Sequence, residues 1–528
     1  MISFDLETSG LSPHNDTILL AQFCEQGKSP ELIPNPDKQM LLDRLAAADL
    51  IVGHNLIFDF GFCGYIPEDP AQFDDTFFMS RLFDFKAESH SLDALDARGS
   101  NFYANIDKKI MQKADWSEIT PQMREYAEAD VLAPLAYYDR HKSELPNAIL
   151  NFDKRSVIAC LKIQKHGLPV DRKQTQIEIR QTRTELKANL SKIDFNPNSP
   201  KQCIEALGIP STGDKFLAEE IADGNETAAT VRRCRKLRKH LNFLEKLILH
   251  DRFYGTLKPN ARSGRLTSDQ ENLQNLPRAV KHLIAVPEDR VIIAADFAQL
   301  ELRTIAAIAE DETMLRLFID GEDLHDYAAA TMFGENFTKQ QRQIAKTFNF
   351  SSLYGAGSAT IRSMLLAQTG IALPEFEVAQ IKREWLRTFH GIHRWQKQGF
   401  TRHGMGHNHR TPHGRPYASV RATDHLSIEN QGAGAEVARI ALHRIVDNLH
   451  PQAKLINFVH DSYVAECPND PLIYAEVAET IYEAMKYAWH RAPFEKFGLD
   501  MPVQVGVARN WKDADSLENC IKIYGDEE

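Results

Sequence analysis

Short apolar runs alternate with amphipathic stretches over the first 146 residues. Residues 2–6 and 18–23 have the length and composition of strands, and stretches with helical periodicity follow them. A further apolar segment covers residues 50–52. This alternation predicts an α/β unit that ends near residue 146.

The pattern changes in the second part of the chain. It is mainly helical from 151 to about 254. A continuous apolar run at 291–295 predicts a buried strand, residues 310–400 predict several helices, and residues 455–467 predict a hairpin. A chain of 528 residues is long enough for roughly three to four domains, so we expect a multidomain protein of mixed α/β and α+β class.

Composition excludes several protein classes. Hydrophobic residues make up 43% of the chain and charged residues 26%, which is typical of folded globular proteins and not of disordered or fibrous ones. No apolar run approaches the roughly 20 residues that cross a bilayer, so no membrane span is predicted. The amino terminus lacks the basic and apolar segments of a signal peptide, and the seven cysteines form no Cys-x-x-Cys pair. We therefore expect a cytoplasmic protein without a disulfide framework.

The net charge of −11 is unevenly distributed. Residues 1–150 contain 25 acidic and 12 basic side chains, whereas residues 151–528 contain 48 and 50. Six lysines and arginines lie within residues 231–240, on a predicted helix. An isolated basic run is usually a solvated helix face, and it predicts phosphate binding only where other residues require DNA.

Acidic residues in the first part of the chain form one candidate site. Asp5 and Glu7 alternate along a predicted strand, so their side chains point to the same face. Asp59 follows, and then Tyr126 and Asp130 at a spacing that shares one face of a helix. Clustered carboxylates repel one another unless divalent metal neutralises them, and all-oxygen ligands favour Mg²⁺ or Mn²⁺. The set predicts two-metal phosphodiester hydrolysis, although a strand ending in acidic residues is by itself more often a solvated end.

Two aspartates at strand ends form a second candidate site. The apolar run at 291–295 leads directly into Asp296, and the run at 455–459 leads into His460 and Asp461 at a hairpin turn. Either aspartate alone would indicate only that the chain reaches the surface. As a pair they can hold two cations about 4 Å apart, as nucleotidyl transfer requires.

A predicted helix offers positive charge for a triphosphate. Residues 338–341 have the pattern of a capping box, after which Arg342, Lys346, Phe350 and Tyr354 recur every four residues. A step of four residues exceeds one helical turn by about 40°, so these side chains form one gently spiralling stripe. From this pattern alone, an amphipathic helix with core aromatics and a solvated basic end is an equal alternative.

The acidic set resembles the proofreading 3′–5′ exonuclease domain of family A DNA polymerases, an RNase H-like fold, over residues 1 to about 145. The resemblance implies that Asp5, Glu7, Asp59 and Asp130 hold the metals and that Tyr126 orients the attacking water. All five residues are present, so we expect an active nuclease and not a decayed, structural domain.

Three segments closely resemble the polymerase motifs of family A: D-F-A-Q-L-E-L-R at 296–303, R-x-x-x-K-x-x-x-F-x-x-x-Y-G at 342–355 and V-H-D at 459–461. The resemblance implies that Asp296 and Asp461 are the metal ligands. It makes Lys346 both a triphosphate contact and the candidate proton donor to pyrophosphate. It also places Arg342 and His325 on the incoming triphosphate, and Phe350 and Tyr354 in the nucleotide pocket. Arg265, Gln431 and His460 would lie near the primer terminus or the minor groove, and Gln299 is a further candidate substrate contact.

The resemblance also implies sugar selection and a domain order. Glu301 resembles the steric gate that crowds a ribose 2′-hydroxyl and so selects deoxynucleotides. An RNase H-like exonuclease domain at 1–145 would precede a polymerase domain at 146–528. The expected subdivisions of the polymerase domain are a thumb at about 150–258, a palm at about 259–310 and 405–528, and fingers at about 311–404.

The expected activity is template-directed DNA synthesis with proofreading, in replication or repair. Its ligands would be primer–template DNA, deoxynucleoside triphosphates and two Mg²⁺ or Mn²⁺ ions per active site, bound by a monomer. With DNA required, the basic run at 231–240 is interpreted as part of a thumb that grips duplex phosphates. We expect no 5′-nuclease domain and find no long thumb insertion of the kind that binds a processivity factor. Processivity is then either low or supplied by an unidentified subunit.

Two positions depart from the family pattern. Ser462 stands where a glutamate usually follows the aspartate of the third motif, and Ser427 stands where an asparagine is common. The His-Asp-Ser turn resembles that of single-subunit RNA polymerases, so RNA synthesis is an alternative, against which Glu301 and the proofreading set argue. A catalytically silent DNA-binding subunit is the third hypothesis, and the intact polymerase motifs count against it.

Overall fold

The computed structural model describes residues 1–104, 106–107, 111, 114, 116, 118–144, 147–371, 373–405, 409–418, 421–516 and 519–520. Its strands in this part of the chain are β1 (Ile2–Thr8), β2 (Ile18–Glu25), β3 (Glu31–Pro34), β4 (Ile51–Gly53), β5 (Phe73–Asp75), β6 (Leu168–Pro169), β7 (Arg252–Phe253), β8 (Thr256–Lys258), β9 (Thr267–Asp269), β10 (Arg290–Phe297), β11 (His409–Arg410), β12 (Pro416–Tyr417), β13 (Lys454–Val459), β14 (Ser462–Pro468) and β15 (Val503–Ala508).

The α-helices of the described residues are α1 (Lys38–Ala46), α2 (Ile57–Cys63), α3 (Thr76–Phe83), α4 (Leu92–Ala97), α5 (Pro121–His141), α6 (Asn147–His166), α7 (Arg172–Leu190), α8 (Pro200–Leu207), α9 (Asp214–Ala222), α10 (Glu226–Leu247), α11 (Leu300–Ile308), α12 (Glu312–Ile319), α13 (Leu324–Phe333), α14 (Lys339–Leu353), α15 (Ser358–Thr369), α16 (Glu375–Thr388), α17 (His390–Gly404), α18 (Ala422–Asn448), α19 (Pro471–His490) and α20 (Trp511–Ala514). Short 3₁₀ helices cover Pro70–Gln72, Leu273–Asn275, Arg278–Leu283 and Glu495–Phe497.

The first sheet contains five strands in the order β3-β2-β1-β4-β5. Its central strand, β1, pairs antiparallel with β2 and parallel with β4. Phe4 and Leu6 are buried on one face of β1, and the Phe4 ring stacks on Phe23 at a centroid distance of 4.9 Å. The strands predicted at 2–6 and 18–23 are confirmed, and each continues two residues further.

The second sheet is antiparallel and has the order β13-β14-β10-β15. Both faces of β10 are covered. Ile293 lies in the main hydrophobic core together with Met485 of α19, whereas Ile292 packs in a separate core with Trp511 of α20. A strand buried on both faces requires an unbroken apolar run, which explains the composition of residues 291–295. The predicted strand and the predicted hairpin at 455–467 are confirmed.

Helices connect and flank the two sheets. Helices α6 to α10 occupy most of residues 147–247, and α7 packs on α10 through buried leucines such as Leu186, Leu237 and Leu241. Helices α12 to α17 occupy most of residues 312–404. The helical character predicted for 151–254 and 310–400 is therefore confirmed.

Polar contacts join the first sheet region to the rest of the chain. The guanidinium of Arg81 on α3 donates to the backbone carbonyls of Asn260 at 2.5 Å and Ala261 at 2.8 Å. Lys154 on α6 donates to Asp74 on β5 at 2.8 Å, and both are buried. These contacts hold the amino-terminal unit at a defined position beside the segment that leads to Arg265.

A buried ionic cluster lies deeper in the same region. The Asp153 carboxylate of α6 accepts from Arg415 and from Arg439 of α18, each at 2.6 Å, and all three side chains are buried. Arg439 also donates to the carbonyl of Gly264 at 3.2 Å. The cluster therefore ties α6 and α18 to the loop that precedes Arg265.

None of the described helices is both long and apolar enough to cross a membrane. The seven cysteines all lie in the described part of the chain as free thiols, and Cys520 alone among them is exposed.

Candidate exonuclease and polymerase sites

The first site is built on the central strand of the five-stranded sheet. Asp5 and Glu7 alternate on β1, so both carboxylates leave the strand on the same face, as predicted. The pairing with β2 shifts register between Glu7 and Thr8, which is where β1 leaves the regular ladder. The strand thus delivers its two carboxylates at the end of its regular part.

Asp59 approaches the site from the first turn of α2 and is buried. Burial raises its pKa well above the usual range, with the negative charges of Asp75 and Asp130 adding to the shift. Asp75 accepts from the backbone N–H groups of Asn55 and Leu56, each at 2.8 Å. Asp75 therefore fixes the turn from which α2 begins, and with it the position of Asp59.

Tyr126 and Asp130 occupy successive turns of α5, as their spacing predicted. Burial raises the pKa of the Tyr126 phenol, and the charges of Asp130, Glu7 and Asp5 contribute. A second phenol, that of Tyr103, donates a hydrogen bond to Asp130. The backbone N–H of Tyr103 is itself held by the Asp96 carboxylate at 3.0 Å.

Three of these carboxylates are arranged to share a cation. One oxygen each of Asp5, Glu7 and Asp130 lies within 4.8 Å of the others. An all-oxygen set of this kind fits a hard divalent cation such as Mg²⁺ or Mn²⁺. Asp59 lies outside this closest group but is electrostatically linked to it through Asp130. The structure thus brings all five predicted residues of the first site into one neighbourhood.

An open cleft of about 960 Å³ contains this site. Asp5, Glu7 and Asp130 lie on one part of its wall, and Lys258, Arg262 and Tyr417 lie on another. Since the last three belong to the carboxyl-terminal part of the chain, the cleft lies between the two parts of the molecule.

The second site lies at the end of the four-stranded sheet. Asp296 is the register partner of Ser462 on β14, and Asp461 precedes Ser462 in the turn between β13 and β14. His460 in this turn has a positive φ of 58°, a left-handed conformation that reverses the chain within two residues. Adjacent strands therefore bring Asp296 and Asp461 together, as predicted.

Electrostatics at this pair favour a bound cation. Burial, followed by repulsion from Asp461, raises the pKa of Asp296 to about 8. Burial also raises the pKa of Asp461 to about 6, with Arg265 opposing the shift and Glu301 adding to it. Two half-buried carboxylates that resist ionisation together are stabilised as anions by divalent metal, so the residues fit such an ion.

Glu301 connects the aspartates to the helix that carries the basic stripe. It lies in the first turn of α11, and one carboxylate oxygen accepts a hydrogen bond from the Tyr354 phenol. The other oxygen faces Arg265 at 3.4 Å. Burial raises the pKa of Glu301, and Arg265 opposes the shift. Tyr354 caps the carboxyl end of α14, so the helix ends directly against this glutamate.

The capping box predicted at the start of α14 is confirmed, since the Thr338 and Gln341 side chains each bond the other's backbone N–H. Arg342 in the first turn forms ion pairs with Asp323 at 2.8 Å and with Asp326. The ammonium of Lys346 is exposed and has no ion pair with a described residue. Arg342 is therefore held by two carboxylates, whereas Lys346 is exposed to solvent.

His325 and Phe350 face one another across α13 and α14, with ring centroids 5.8 Å apart. His325 is buried, its Nδ1 lies 2.9 Å from Nδ2 of Asn349, and burial lowers its pKa. Phe350 is 38% exposed, which is high for an aromatic ring and leaves a face open to a ligand.

The remaining predicted residues occupy the surrounding elements. Gln299 has a positive φ of 58° and precedes α11, so it marks the sharp turn from β10 into that helix. Burial and Arg265 lower the pKa of His460. Gln431 and Ser427 lie half-buried on α18. A Cβ at the next residue, Gly432, would approach Thr411 within 2.6 Å, so this glycine lets α18 pack closely.

Several residues that shape the sites have no signal in the sequence pattern. Tyr103 lies in a stretch without periodicity, and Asp75 looks like an ordinary N-cap. Asn430 precedes the predicted Gln431 but belongs to no motif, although it is fully buried beside Tyr354. Their roles depend on contacts between distant segments, and local spacing carries no information about such contacts.

The basic run at 231–240 lies on α10, and three of its six cations are held by carboxylates or backbone carbonyls of other segments. Arg232 pairs with Asp214 at 2.7 Å and Arg233 with Glu185 at 2.5 Å, while Arg235 donates to two backbone carbonyls. The other three cations of the run are exposed: Lys236, Arg238 and Lys239. Half of the run is therefore exposed without an ion pair to a described residue, whereas Arg233 is exposed but paired.

Two known families match separate parts of the chain. The family described as DNA polymerase family A matches residues 168–513. The family described as 3′–5′ exonuclease matches residues 1–145.

Curated relatives agree with these matches. The DNA polymerase I of Aquifex aeolicus is 28% identical over 491 residues, which cover 83% of this chain and 84% of that protein. The thermostable DNA polymerase I of Thermus filiformis is 31% identical over 290 residues, which cover 50% of this chain and 32% of that protein. The chain thus spans most of the first relative and about a third of the second.

A solved structure shows the same fold. The POL domain of Pol1 from M. smegmatis, in complex with DNA primer–template and dNTP, has a TM-score of 0.77 and 19% identity. The alignment covers 98% of this chain and 96% of that one. These findings confirm the expected fold class and the resemblance stated from the motifs. The chain belongs to the family A DNA polymerases and carries a 3′–5′ exonuclease domain ahead of its polymerase domain.

Proposed function

We propose that this polymerase extends a primer 3′ end through Asp296 and Asp461 and removes mismatched nucleotides from the same end through the carboxylates around Asp5. The observation that carries the proposal is the pairing of β10 with β14, which brings two half-buried, mutually repelling aspartates together. Replication or repair of DNA would be the biological role.

Divalent metal use is general to this family, and we propose Mg²⁺ or Mn²⁺, two ions per site. Asp296 and Asp461 would hold them in the polymerase site, and Asp5, Glu7, Asp59 and Asp130 in the exonuclease site. Bound there, the ions would activate the attacking oxygen and neutralise charge on the phosphate that reacts.

The side chains of α13 and α14 would bind and orient the incoming triphosphate. The exposed ammonium of Lys346 is ready to receive a phosphate and to donate its proton to the departing pyrophosphate. Arg342 would exchange its carboxylate partners for phosphate oxygens. Phe350 would stack on the base, because its ring is open to solvent on α14.

The groups around Glu301 would select the sugar and hold the primer. Glu301 and Tyr354 form one hydrogen-bonded unit beside Asp461, where a ribose 2′-hydroxyl would meet them. Arg265, Gln431 and His460 would contact the primer terminus or the minor groove, and Gln299 would be a further substrate contact.

In the exonuclease site the phenol of Tyr126 would orient the attacking water. Its position among Asp130, Glu7 and Asp5 supports this role. The cleft that joins this site to Lys258, Arg262 and Tyr417 would receive a frayed single strand. The side chain of Arg262, which is about half exposed, suits the phosphates of such a strand.

The proposed ligands are primer–template DNA and deoxynucleoside triphosphates, and the complex of the similar Pol1 domain with both supports this. The subdivision into thumb (about 150–258), palm (about 259–310 and 405–528) and fingers (about 311–404) is proposed with it. The β10 sheet would then form the palm, and α14 would belong to the fingers. A monomeric state and any dependence on a processivity factor stay predictions.

Primer extension with Mg²⁺ on matched and mismatched 3′ ends tests both activities. We expect direct extension of the matched primer, and shortening of the mismatched primer before it is extended. Failure to lengthen the matched primer would overturn the polymerase assignment. Direct extension of the mismatch, with no shortened product, would overturn the proofreading assignment.

RNA synthesis is the second candidate, and one observation favours it. Ser462 stands directly opposite Asp296, so the His-Asp-Ser turn lacks the third carboxylate that family A usually has. The Glu301–Tyr354 unit favours deoxynucleotides instead. Parallel incorporation of deoxyribonucleotides and ribonucleotides decides between them, because equal use of both would contradict our assignment.

A further inference from the structure

Asn430 on α18 is fully buried next to the unit formed by Glu301 and Tyr354. Its side-chain Nδ2 donates to the Tyr354 phenol oxygen at 3.0 Å and to the backbone carbonyl of Glu301 at 3.1 Å. Its Oδ1 accepts from the Thr304 hydroxyl at 2.7 Å. One amide thus contacts three groups on two different helices.

The orientation of this amide follows from its partners. The Glu301 carbonyl can only accept a hydrogen bond, so the group that faces it must be the NH₂ and not the oxygen. The oxygen then faces Thr304, whose hydroxyl supplies the proton. Because every polar atom of the buried side chain has a partner, the amide is held in one orientation.

This orientation determines the direction of the next hydrogen bond. The phenol oxygen of Tyr354 accepts from Asn430, so its own proton is directed to the Glu301 carboxylate, as observed. The same amide also holds the Glu301 backbone. Asn430 therefore fixes both members of the unit: the phenol by its oxygen and the glutamate by its main chain.

We propose that Asn430 is a positioning residue for sugar selection, which holds the Tyr354–Glu301 unit rigid so that it excludes a ribose 2′-hydroxyl. The inference rests on the proposed polymerase function and on Glu301 as its gate. A steric gate distinguishes ribonucleotides from deoxyribonucleotides only while it is rigid, because a ribonucleotide can enter the pocket only by displacing it. An apolar residue at 430 would leave the phenol free to turn away from Glu301, and the gate would widen.

The test measures kcat and KM for single incorporation of dCTP and of CTP opposite guanine. The variants are Asn430→Leu, which keeps the approximate shape, and Thr304→Val, which removes the hydroxyl that contacts the amide oxygen at 2.7 Å and the Glu301 carbonyl at 3.0 Å. Asn457→Leu is the matched control, because Asn457 is equally buried and donates to the carbonyl of Leu273 at 3.0 Å, outside the unit.

For Asn430→Leu we expect the dCTP-to-CTP ratio of kcat/KM to fall about tenfold or more. A change of this size corresponds to the loss of one buried hydrogen bond. Most of the change should be a gain in CTP use, while kcat for dCTP stays within about threefold. Thr304→Val should lower the ratio less, and Asn457→Leu should leave it unchanged. A merely structural role would lower the use of both nucleotides and leave their ratio unaltered.

Two further variants separate this inference from the proposed function. Glu301→Ala tests the gate itself. Tyr354→Phe combined with Asn430→Leu tests whether the two residues act through one path. If they do, the nucleotide ratio of the double variant should be no lower than that of either single variant. A lowered ratio in Glu301→Ala with an unchanged ratio in Asn430→Leu would overturn the role of Asn430 alone. An unchanged ratio in Glu301→Ala would overturn the gate and this inference with it. If Asn430→Leu does not fold, the ratio in Thr304→Val decides, and an unchanged ratio there overturns the proposal.

Discussion

Asp296 and Ser462 are register partners on antiparallel strands β10 and β14, and this pairing places Asp461 next to Asp296. The hydroxyl of Ser462 stands where the family pattern has a carboxylate. In the proposed polymerase site, Asp296 and Asp461 are the carboxylates that would hold the metal ions, and the predictions for this site depend on them.

Asp461→Asn should lower the rate of primer extension by a factor of about a thousand or more, because it removes a negative charge from the proposed two-carboxylate metal site. The measurement is single-turnover nucleotide incorporation with Mg²⁺. Asp470→Asn is the control, since Asp470 caps α19 through the Leu472 N–H at 2.9 Å and asparagine is an equally good cap. Extension at an unchanged rate in Asp461→Asn would mean that the site is not catalytic.

Asp5→Ala combined with Glu7→Ala should abolish digestion of single-stranded 3′ ends while leaving extension of a matched primer intact. The two carboxylates face Asp130 within 4.8 Å, and their loss removes the cation site. Gel analysis of end-labelled single strands measures this. Glu25→Gln on the neighbouring strand should digest normally, because Glu25 only pairs with Lys28 at the surface. Retained digestion in the double variant would refute the exonuclease assignment.

Tyr103→Phe should slow the exonuclease by roughly tenfold to a hundredfold, the range for a lost hydrogen bond to a charged group. The phenol of Tyr103 holds the Asp130 carboxylate, so its loss should act on kcat with little change in folding. Primer extension by the same preparation is the internal control. An exonuclease rate equal to that of the wild type would show that Asp130 is positioned without Tyr103.

The exposed cations of α10 should contribute to DNA affinity more than its paired arginines. Replacing Lys236, Arg238 and Lys239 by alanine should weaken primer–template binding and make the salt dependence shallower, by a slope of about 0.9 for each phosphate that is no longer neutralised. Replacing Arg232 and Arg233 should change the slope much less, since Asp214 and Glu185 already hold them. Fluorescence anisotropy titrations at several salt concentrations compare the two sets, and equal slopes would contradict the interpretation.

Asp153→Asn should lower the thermal midpoint by a loss of about 3–5 kcal/mol, because it removes the charge that pairs with two buried guanidinium groups and leaves Arg415 only Glu436, at 3.7 Å. Burial alone would raise the pKa of Asp153, but Arg415 and Arg439 overcome it and lower the pKa to about 2. A carboxyl group with a depressed pKa stabilises the fold above its unfolded pKa, near 3.8, and loses that contribution as the pH falls towards 2. Calorimetry between pH 5 and 2 should therefore show the two proteins converging. A constant difference across this range would exclude Asp153 as the titrating group.

Local patterns predicted the parts of each site that lie on one element. Alternation along β1 placed Asp5 and Glu7 on one face, and the capping box at Thr338 located the start of α14. The unbroken apolar run at 291–295 predicted a buried strand. These features follow from the periods of the strand and the helix, which a few consecutive residues are enough to express.

Contacts between distant segments were decided by the tertiary structure alone. Tyr103 reaches Asp130, Asn430 holds Tyr354 on Glu301, and Arg342 pairs with Asp323, although no spacing in the chain indicates any of these contacts. The basic run on α10 likewise divides into paired and exposed cations only when α7, α8 and α9 pack around it. Residue type and period are local properties. A hydrogen-bond partner depends instead on how the hydrophobic core packs the elements, since donor and acceptor atoms must come within about 3 Å of each other.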